Sequence, residues 1–261
     1  MRVVVCVKPV PSAAASQRFD VAAGRADRSG PMEINAPDLY AVEEALRIRD
    51  LVGGEVVALA MTPESGFDSL RTPVAMGVDR AVAISDAALE GSDLVVTARV
   101  LAAAIALEAP SLVLFGAEAE DGGGAMLWAA VAERLRLPVV SSAHEVQAAD
   151  GSIRVTCRRS DSVDTVEVPL PCVISISSSA STPRYPTLKG IMAAKRKPIE
   201  ARSLADIGLA ERGPDGLRAR TMVLRVAPAP PRRGHGQVIK DDGAGAGVGW
   251  LAQFIAERRP L

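Results

Sequence analysis

A run of three glycines, Gly122–Gly124, suggests a binding site more directly than any other feature of the sequence. The run lies between the end of an apolar stretch and the start of a helical pattern. Glycine has no side chain to shield its backbone N–H group. Such N–H groups, together with the dipole of the following helix, favour the binding of an anion such as a phosphate. The alternative is a loop that needs positive φ angles, and the sequence leaves both open. The run matches neither a P-loop nor a dinucleotide fingerprint.

Other reactive side chains are scattered and suggest no catalytic site. Glu118, Glu120 and Asp121 could be paired acids, but no base or nucleophile lies near them in the sequence. His144 and His235 are not placed for a catalytic triad. The cysteines are isolated, which predicts reduced thiols and no metal site. These cysteines are Cys6, Cys157 and Cys172.

Composition limits the class of protein. Of 261 residues, 48% are hydrophobic but only 3% aromatic, which is typical of a parallel sheet covered by helices. The formal net charge of −1 argues against nucleic-acid binding by bulk charge. No stretch approaches a membrane span or a signal segment. We therefore expect a cytoplasmic protein without membrane insertion.

Strand and helix patterns alternate over residues 1–140 and predict an α/β fold with a parallel sheet. Ligands of such sheets bind at the carboxyl ends of the strands. An antiparallel hairpin is predicted at 152–168 and a buried strand at 172–176. We expect one domain over 1–200 and a C-terminal arm over 201–261 that ends in a short helix. The predicted strands are 3–7, 56–60, 80–84 and 112–115, and the predicted helices are 35–50, 66–76, one capped by Ser92 and one from about 127 to 135.

The segment 183-PRYPTLKGIMAAKRKPIE-200 places apolar side chains between prolines. Pro183, Pro186 and Pro198 are expected to exclude a helix across most of it. One interpretation is an irregular connector whose apolar side chains fold back onto the domain. The other is an exposed apolar docking site.

Five segments, in the same order along the chain, resemble the β subunit of electron-transfer flavoproteins, including its relatives in nitrogen-fixing and electron-bifurcating bacteria. The proline-bounded segment is the most specific of the five. The resemblance implies a Rossmann-like sheet of the adenine-nucleotide α-hydrolase type, with a hairpin insertion and an extended C-terminal arm. The segments are 3-VVVCVKPVP-11, 34-INAPDLYAVEEALRIRD-50, 73-PVAMGVDRAV-82, 113-VLFGAEAEDG-122 and 183-PRYPTLKGIMAAKRKPIE-200.

The resemblance also implies a heterodimer that carries electrons without catalytic residues of its own. In this family the α subunit holds the redox-active FAD and the β subunit contributes a wall of that site. In many members the β subunit also holds AMP, and in the bifurcating branch a second FAD. Electrons arrive from flavin dehydrogenases and leave to a quinone reductase or another acceptor.

Two groups of residues match functional positions of the family. In the docking group, Leu188 matches the leucine that anchors in the partner dehydrogenase. In the nucleotide group, Gly124, Met126 and Trp128 depart from the family pattern, which predicts weak AMP binding. The docking group is Arg184, Tyr185, Leu188, Ile191 and Met192; the nucleotide group is Cys6, Asn35, Ala36, Pro37, Asp38, Met61, Gly122, Gly123, Gly124, Ala125, Met126, Leu127 and Trp128.

Two other functions compete with this interpretation. The scaffold is shared with stress-protein-like binders, so an adenine-nucleotide-binding regulatory protein acting without an α subunit is the alternative. The other candidate is an enzyme of the ATP-pyrophosphatase kind. The segment 64-ESGFDSL-70 is similar to the loop of those enzymes, but it lacks one glycine and follows the second strand instead of the first.

Overall fold

Strands and helices alternate through a computed structural model that describes residues 1–12, 19–20, 24–209, 217–227, 238–240, 243 and 245–258. The strands are β1 (Arg2–Cys6), β2 (Pro9–Pro11), β3 (Phe19–Asp20), β4 (Arg25–Ala26), β5 (Met32–Ile34), β6 (Glu55–Met61), β7 (Arg80–Ile84), β8 (Leu112–Gly116), β9 (Val139–Ala149), β10 (Ser152–Arg158), β11 (Val163–Pro169), β12 (Cys172–Ile176) and β13 (Glu200–Arg202). The α-helices are α1 (Ala36–Val52), α2 (Arg71–Met76), α3 (Leu94–Glu108), α4 (Leu127–Leu135), α5 (Leu188–Arg196) and α6 (Ala246–Arg258).

The apolar run near residue 3 forms an interior strand of a nine-stranded sheet. The strand order is β11-β10-β9-β12-β8-β1-β6-β7-β13. Strand β1 pairs in parallel with β6 on one side and β8 on the other. Val3, Val4 and Val5 are all buried because helices cover both faces of the sheet. The predicted α/β fold with a mostly parallel sheet is confirmed.

Each face of the sheet carries its own apolar cluster. Buried side chains of α1 and α2, such as Leu46 and Val74, pack on one face with Val3 and Val5. Side chains of α3 and α4, such as Ile105, pack on the other face with Val4 and Cys6. Alternate residues of β1 thus join different layers, as the two-residue period of a strand requires.

The antiparallel part of the sheet contains more strand than predicted. The hairpin of β10 and β11 is present, with Ile153 opposite Val168. The eleven-residue strand β9 was not predicted, and it pairs in parallel with β12 and antiparallel with β10. Its exposed and buried residues follow no regular alternation, which explains why the sequence pattern gave no strand signal.

Helix α3 begins at a different cap from the predicted one. Asp93, not Ser92, caps the helix, because Asp93 Oδ1 accepts the N–H of Val96 at 2.9 Å. Asp93 Oδ2 also accepts the N–H groups of Arg220 at 2.7 Å and Thr221 at 3.1 Å. One carboxylate therefore both caps α3 and holds a chain segment more than 120 residues away.

Arg80 joins three carboxylates at the amino ends of the parallel strands. Its guanidinium lies 2.6 Å from Glu55, 2.6 Å from Glu108 and 3.0 Å from Glu200. Glu108 is buried at the end of α3, and Arg202 pairs with it as well at 2.7 Å. Because Glu200 and Arg202 belong to β13, these ion pairs hold that edge strand beside β7.

The contacts divide the chain into two units, Met1–Val226 and Ala227–Leu261, at a later point than the residue 200 boundary taken from the sequence. In the second unit, α6 stacks Trp250 on Phe254 with ring centroids 4.9 Å apart. Among the described residues, no helix has both the length and the apolar character needed to cross a bilayer.

The end of β8 touches the start of α1 so closely that only glycine fits. A Cβ on Gly116 would lie 2.3 Å from Asp38 Oδ1 and 2.8 Å from the backbone nitrogen of Asp38. We expect Gly116→Ala to lower the free energy of unfolding by about 2–4 kcal/mol, because backbone must move. Urea denaturation measures this, with Gly122→Ala as the control because nothing lies within 4 Å of that Cβ position. Equal midpoints for the two variants would contradict the close contact.

Candidate functional site

The direction of the sheet reverses between β1 and β8. From β1 the chain continues through β6 and β7 on one side, and it then returns to place β8 on the other side. The connecting helices leave these two strand ends toward opposite faces, which opens a crevice at their carboxyl ends. Such a switch point is where open α/β sheets bind ligands. The crevice is lined by residues that follow β1, precede α1 and follow β8.

Asn35 connects all three of these segments. Its side chain does not cap α1. Instead its Nδ2 donates to the carbonyl of Glu118 at 2.8 Å and its Oδ1 accepts the N–H of Glu120 at 3.0 Å. Its own N–H donates to the carbonyl of Lys8 at 2.9 Å. Asn35 is buried, and both the nitrogen and the oxygen of its side-chain amide are hydrogen-bonded. It therefore fixes the loop after β8.

Asp38 is a buried carboxyl group in the first turn of α1. Its Oδ2 accepts the N–H of Lys8 at 2.8 Å. Burial raises the pKa of Asp38 to about 7, and hydrogen bonds from Lys8, Asn35 and Gly116 only partly oppose that rise. Cys6 lies next to it, and burial, with a smaller contribution from the Asp38 charge, raises the pKa of that thiol well above its usual value. Cys6, Asn35 and Asp38 of the nucleotide group are thus buried together beside Lys8.

A second carboxylate, Asp121, lies in the crevice between two cations. Lys8 Nζ is 2.5 Å from Asp121 Oδ1, and the Arg28 guanidinium binds Asp121 Oδ2. The Asp121 side chain is only 6% exposed. Arg28 also donates to the carbonyl of Pro9 at 3.1 Å. The sequence gave Asp121 no partner because Lys8 and Arg28 are about a hundred residues away.

Two of the three glycine N–H groups in the run are used within the loop. The N–H groups of Gly122 and Gly123 both donate to the carbonyl of Ala119, at 3.2 and 2.7 Å. The N–H of Ala125 donates to Gly123 at 3.0 Å. Gly123 has a φ of 58°, so the alternative reason for glycine, a left-handed turn, applies at that position.

Helix α4 begins without a side-chain cap at Met126, whose side chain is exposed. Trp128 folds back from its first turn, and its indole Nε1 donates to the carbonyl of Ala117 at 3.3 Å. Trp128 and Leu127 pack on the apolar cluster beneath. Met61, at the end of β6, packs on the same cluster. The nucleotide group therefore lies at the carboxyl edge of the sheet, and near α4 it is formed by apolar side chains and by a loop in which the N–H groups of Gly122 and Gly123 are used.

The proline-bounded segment contains a helix with an exposed apolar face, so the expectation that prolines exclude a helix across most of it is wrong. Pro186 precedes the cap Thr187 and Pro198 follows the last turn, so neither ring lies inside α5. Leu188 is 77% exposed and Tyr185 is 93% exposed. Ile191 and Met192 are exposed on the same side, at the i+3 and i+4 positions from Leu188.

The opposite side of α5 is held firmly. Thr187 Oγ1 accepts the N–H of Gly190 at 3.0 Å. A Cβ on Gly190 would lie 2.4 Å from the carbonyl oxygen of Ala75, so α5 and α2 are in close contact. Arg184 binds Glu43 of α1 at 2.8 Å and Asp50 at 3.1 Å. Arg184 therefore positions the segment, while Leu188, Ile191 and Met192 face outward.

Sequence reasoning predicted the carboxyl edge of the sheet and the exposed apolar side chains of the proline-bounded segment, but it missed the ion cluster of Lys8, Arg28 and Asp121. The available signal was Lys8, a charged residue directly after the buried apolar run of residues 3–7. Among the described residues, no group of three or more His, Cys, Asp or Glu side chains is arranged to hold a metal ion.

Comparisons with known proteins agree with the arrangement. A family model described as "Electron transfer flavoprotein domain" matches residues 24–207. Subunit CarD of the caffeyl-CoA reductase–Etf complex of Acetobacterium woodii is 34% identical over 261 residues, which cover 99% of each chain. The electron transfer flavoprotein subunit beta of Mycobacterium tuberculosis is 34% identical over 98% of each chain. Protein FixA of Azorhizobium caulinodans is 32% identical over all of this chain and 95% of its own.

The raised pKa of Asp38 predicts a specific pH dependence. In the unfolded chain Asp38 ionises near 3.8, but in the folded protein near 7, so the folded state loses stability as the pH rises between those values. Asp38→Asn removes this loss. Its free energy of unfolding, relative to wild type, should therefore rise by about 2–3 kcal/mol from pH 5 to pH 8. Chemical denaturation at both pH values measures this.

Asp150→Asn, at an exposed turn, is the control for that measurement. Parallel pH profiles for wild type and Asp38→Asn would show that Asp38 does not titrate in this range.

Proposed function

The chain is a β-type subunit of the electron transfer flavoprotein family, and from that premise we propose that it pairs with an α subunit and docks flavin dehydrogenases through α5. The α subunit holds the redox-active FAD, and this chain contributes a wall of that site. Electrons pass from the dehydrogenases through the flavin to a quinone reductase or another acceptor. β-type subunits of this family are electron carriers and not enzymes.

The exposed apolar face of α5 is the observation that carries the docking role. Large apolar side chains on a surface mark an interface when they form one patch. Leu188, Ile191 and Met192 form such a patch on one side of a helix, with Tyr185 beside it. A helix that offers anchors at i, i+3 and i+4 suits an apolar groove in a partner.

The rigid support of α5 suits a short-lived complex. Its cap at Thr187, its contact with Ala75 and the ion pairs of Arg184 fix the helix before any partner arrives. Association then spends little free energy on ordering the segment. Affinity can come from a few anchors in a small interface, which permits fast release between electron-transfer events.

The partner subunit and its flavin are supported by the relatives. Their names include "subunit beta" and "complex subunit", which describe parts of assemblies. In this chain, the crevice at the carboxyl edge is filled with side-chain and loop hydrogen bonds and lacks a dinucleotide loop. These contacts also give little support to the alternative of a regulatory adenine-nucleotide binder, and they make AMP or a second FAD a poor fit.

Purification tests the heterodimer. Co-expressed with the α-type subunit of the same organism, the chain should elute as a yellow 1:1 complex. Expressed alone, it should show no stoichiometric flavin absorption. Size-exclusion chromatography with a diode-array spectrum measures both. A chain that carries a full complement of flavin by itself would contradict the proposal, as would a chain that stays apart from the α-type subunit.

Leu188→Ala tests the docking face. Because Leu188 is 77% exposed, its loss should leave the melting temperature and flavin content unchanged. The apparent affinity for a flavin dehydrogenase should fall roughly 30-fold, the effect of ~2 kcal/mol from one interface anchor. Steady-state electron transfer at varied complex concentration measures this.

Leu107→Ala is the matched control, since Leu107 is an exposed leucine of α3, on the other face of the sheet. A steep fall in the melting temperature of Leu188→Ala with unchanged affinity would identify Leu188 as a core residue and exclude docking through it.

A further inference from the structure

We propose that Asp121 is the resident anion of the crevice between β1 and β8, so that this chain binds no nucleotide phosphate there. The inference goes beyond the electron-transfer role and does not depend on it. It assigns Lys8, Arg28 and Asp121 to a closed anion site. The site would take an inorganic phosphate or a nucleotide phosphate only after the carboxylate is removed.

The position of the cluster is the first part of the argument. The crevice lies at the switch point of the sheet, where open α/β folds bind ligands, often through a phosphate at a helix N-terminus. Lys8 follows β1, and Asp121 lies in the loop after β8. Their ion pair therefore spans the two strand ends that define the crevice.

Both oxygens of the Asp121 carboxylate are paired within the chain. Each oxygen of the Asp121 carboxylate has its own cation, Lys8 on Oδ1 and Arg28 on Oδ2. The carboxylate is 6% exposed, whereas Lys8 and Arg28 are 40% and 36% exposed. The anion thus lies inside and the cations reach it from the solvent side. A phosphate that approached the same cations would meet a negative charge already bound to them.

The backbone holds the carboxylate in place. Asn35 uses both ends of its amide on the loop, at Glu118 and Glu120, directly before Asp121. The N–H groups of Gly122 and Gly123, directly after it, donate to Ala119. The N–H groups on either side of Asp121 are thus used within the loop, which fixes the carboxylate in the crevice.

Calorimetry on the full-length chain tests the proposal with AMP and inorganic phosphate as probes. The variants are Asp121→Ser, Asp121→Ser combined with Lys8→Ala, and Trp128→Gly. Asp161→Ser is the control, because it removes one acidic charge from an exposed turn outside the crevice. We expect no saturable binding of either probe to wild type, Trp128→Gly or Asp161→Ser.

Asp121→Ser should bind phosphate and AMP saturably, with an affinity at least about tenfold above the upper limit that the wild-type titration sets, because two cations become available. The added Lys8→Ala change should abolish that gain. Circular dichroism and a melting curve show whether each variant is folded. If Asp121→Ser does not fold, Asp121→Asn replaces it, since it removes the charge at nearly constant volume, and the same gain is expected.

Three results would overturn the proposal. The first is tight AMP binding by wild type. The second is AMP binding restored by Trp128→Gly alone, which would assign the closure to the indole. The third is a folded Asp121 variant that binds phosphate no better than wild type.

Discussion

The fit of the first helix against the ends of β1 and β8 is the constraint on which the rest of the carboxyl edge depends. The Asn35 side chain does not cap α1 but binds the loop after β8. Asp38 accepts the N–H of Lys8. Gly116 permits the contact because it has no side chain. The first turn of α1 is thus the common support of the strand ends, the loop and the ion cluster of Lys8, Arg28 and Asp121.

Helix α1 also links this edge to the exposed apolar face of α5, which we propose as the docking surface. One turn beyond Asp38, Glu43 binds Arg184, and Asp50 binds the same guanidinium near the end of the helix. The segment that precedes α5 is therefore attached to the same element that closes the crevice. A rigid helix with both attachments gives the exposed face of α5 a fixed position relative to the sheet.

Local patterns predicted the parallel core and the family, but not the contacts that are distant in the sequence. The continuous apolar run at residues 3–7 and the helical pattern that begins near Asn35 are strong local signals, and both elements are present. Strand β9 has no clean alternation, and Asp121 finds its partners only through the fold. The prolines around α5 predict a break in any helix. Pro186 lies before the cap of α5 and Pro198 lies after its last turn, so a helix forms between them.

The loop after β8 is held by contacts within the chain, from Asn35 and from the ion pairs of Asp121. This has a consequence for how the protein folds in the cell. A protein stabilised by a dissolved ligand folds more completely as that ligand becomes abundant. Here the hydrogen bonds of Asn35 and the ion pairs of Asp121 form as soon as β1, α1 and β8 come together. On the proposal that Asp121 closes the crevice, the folding of this subunit would not depend on the concentration of adenine nucleotides.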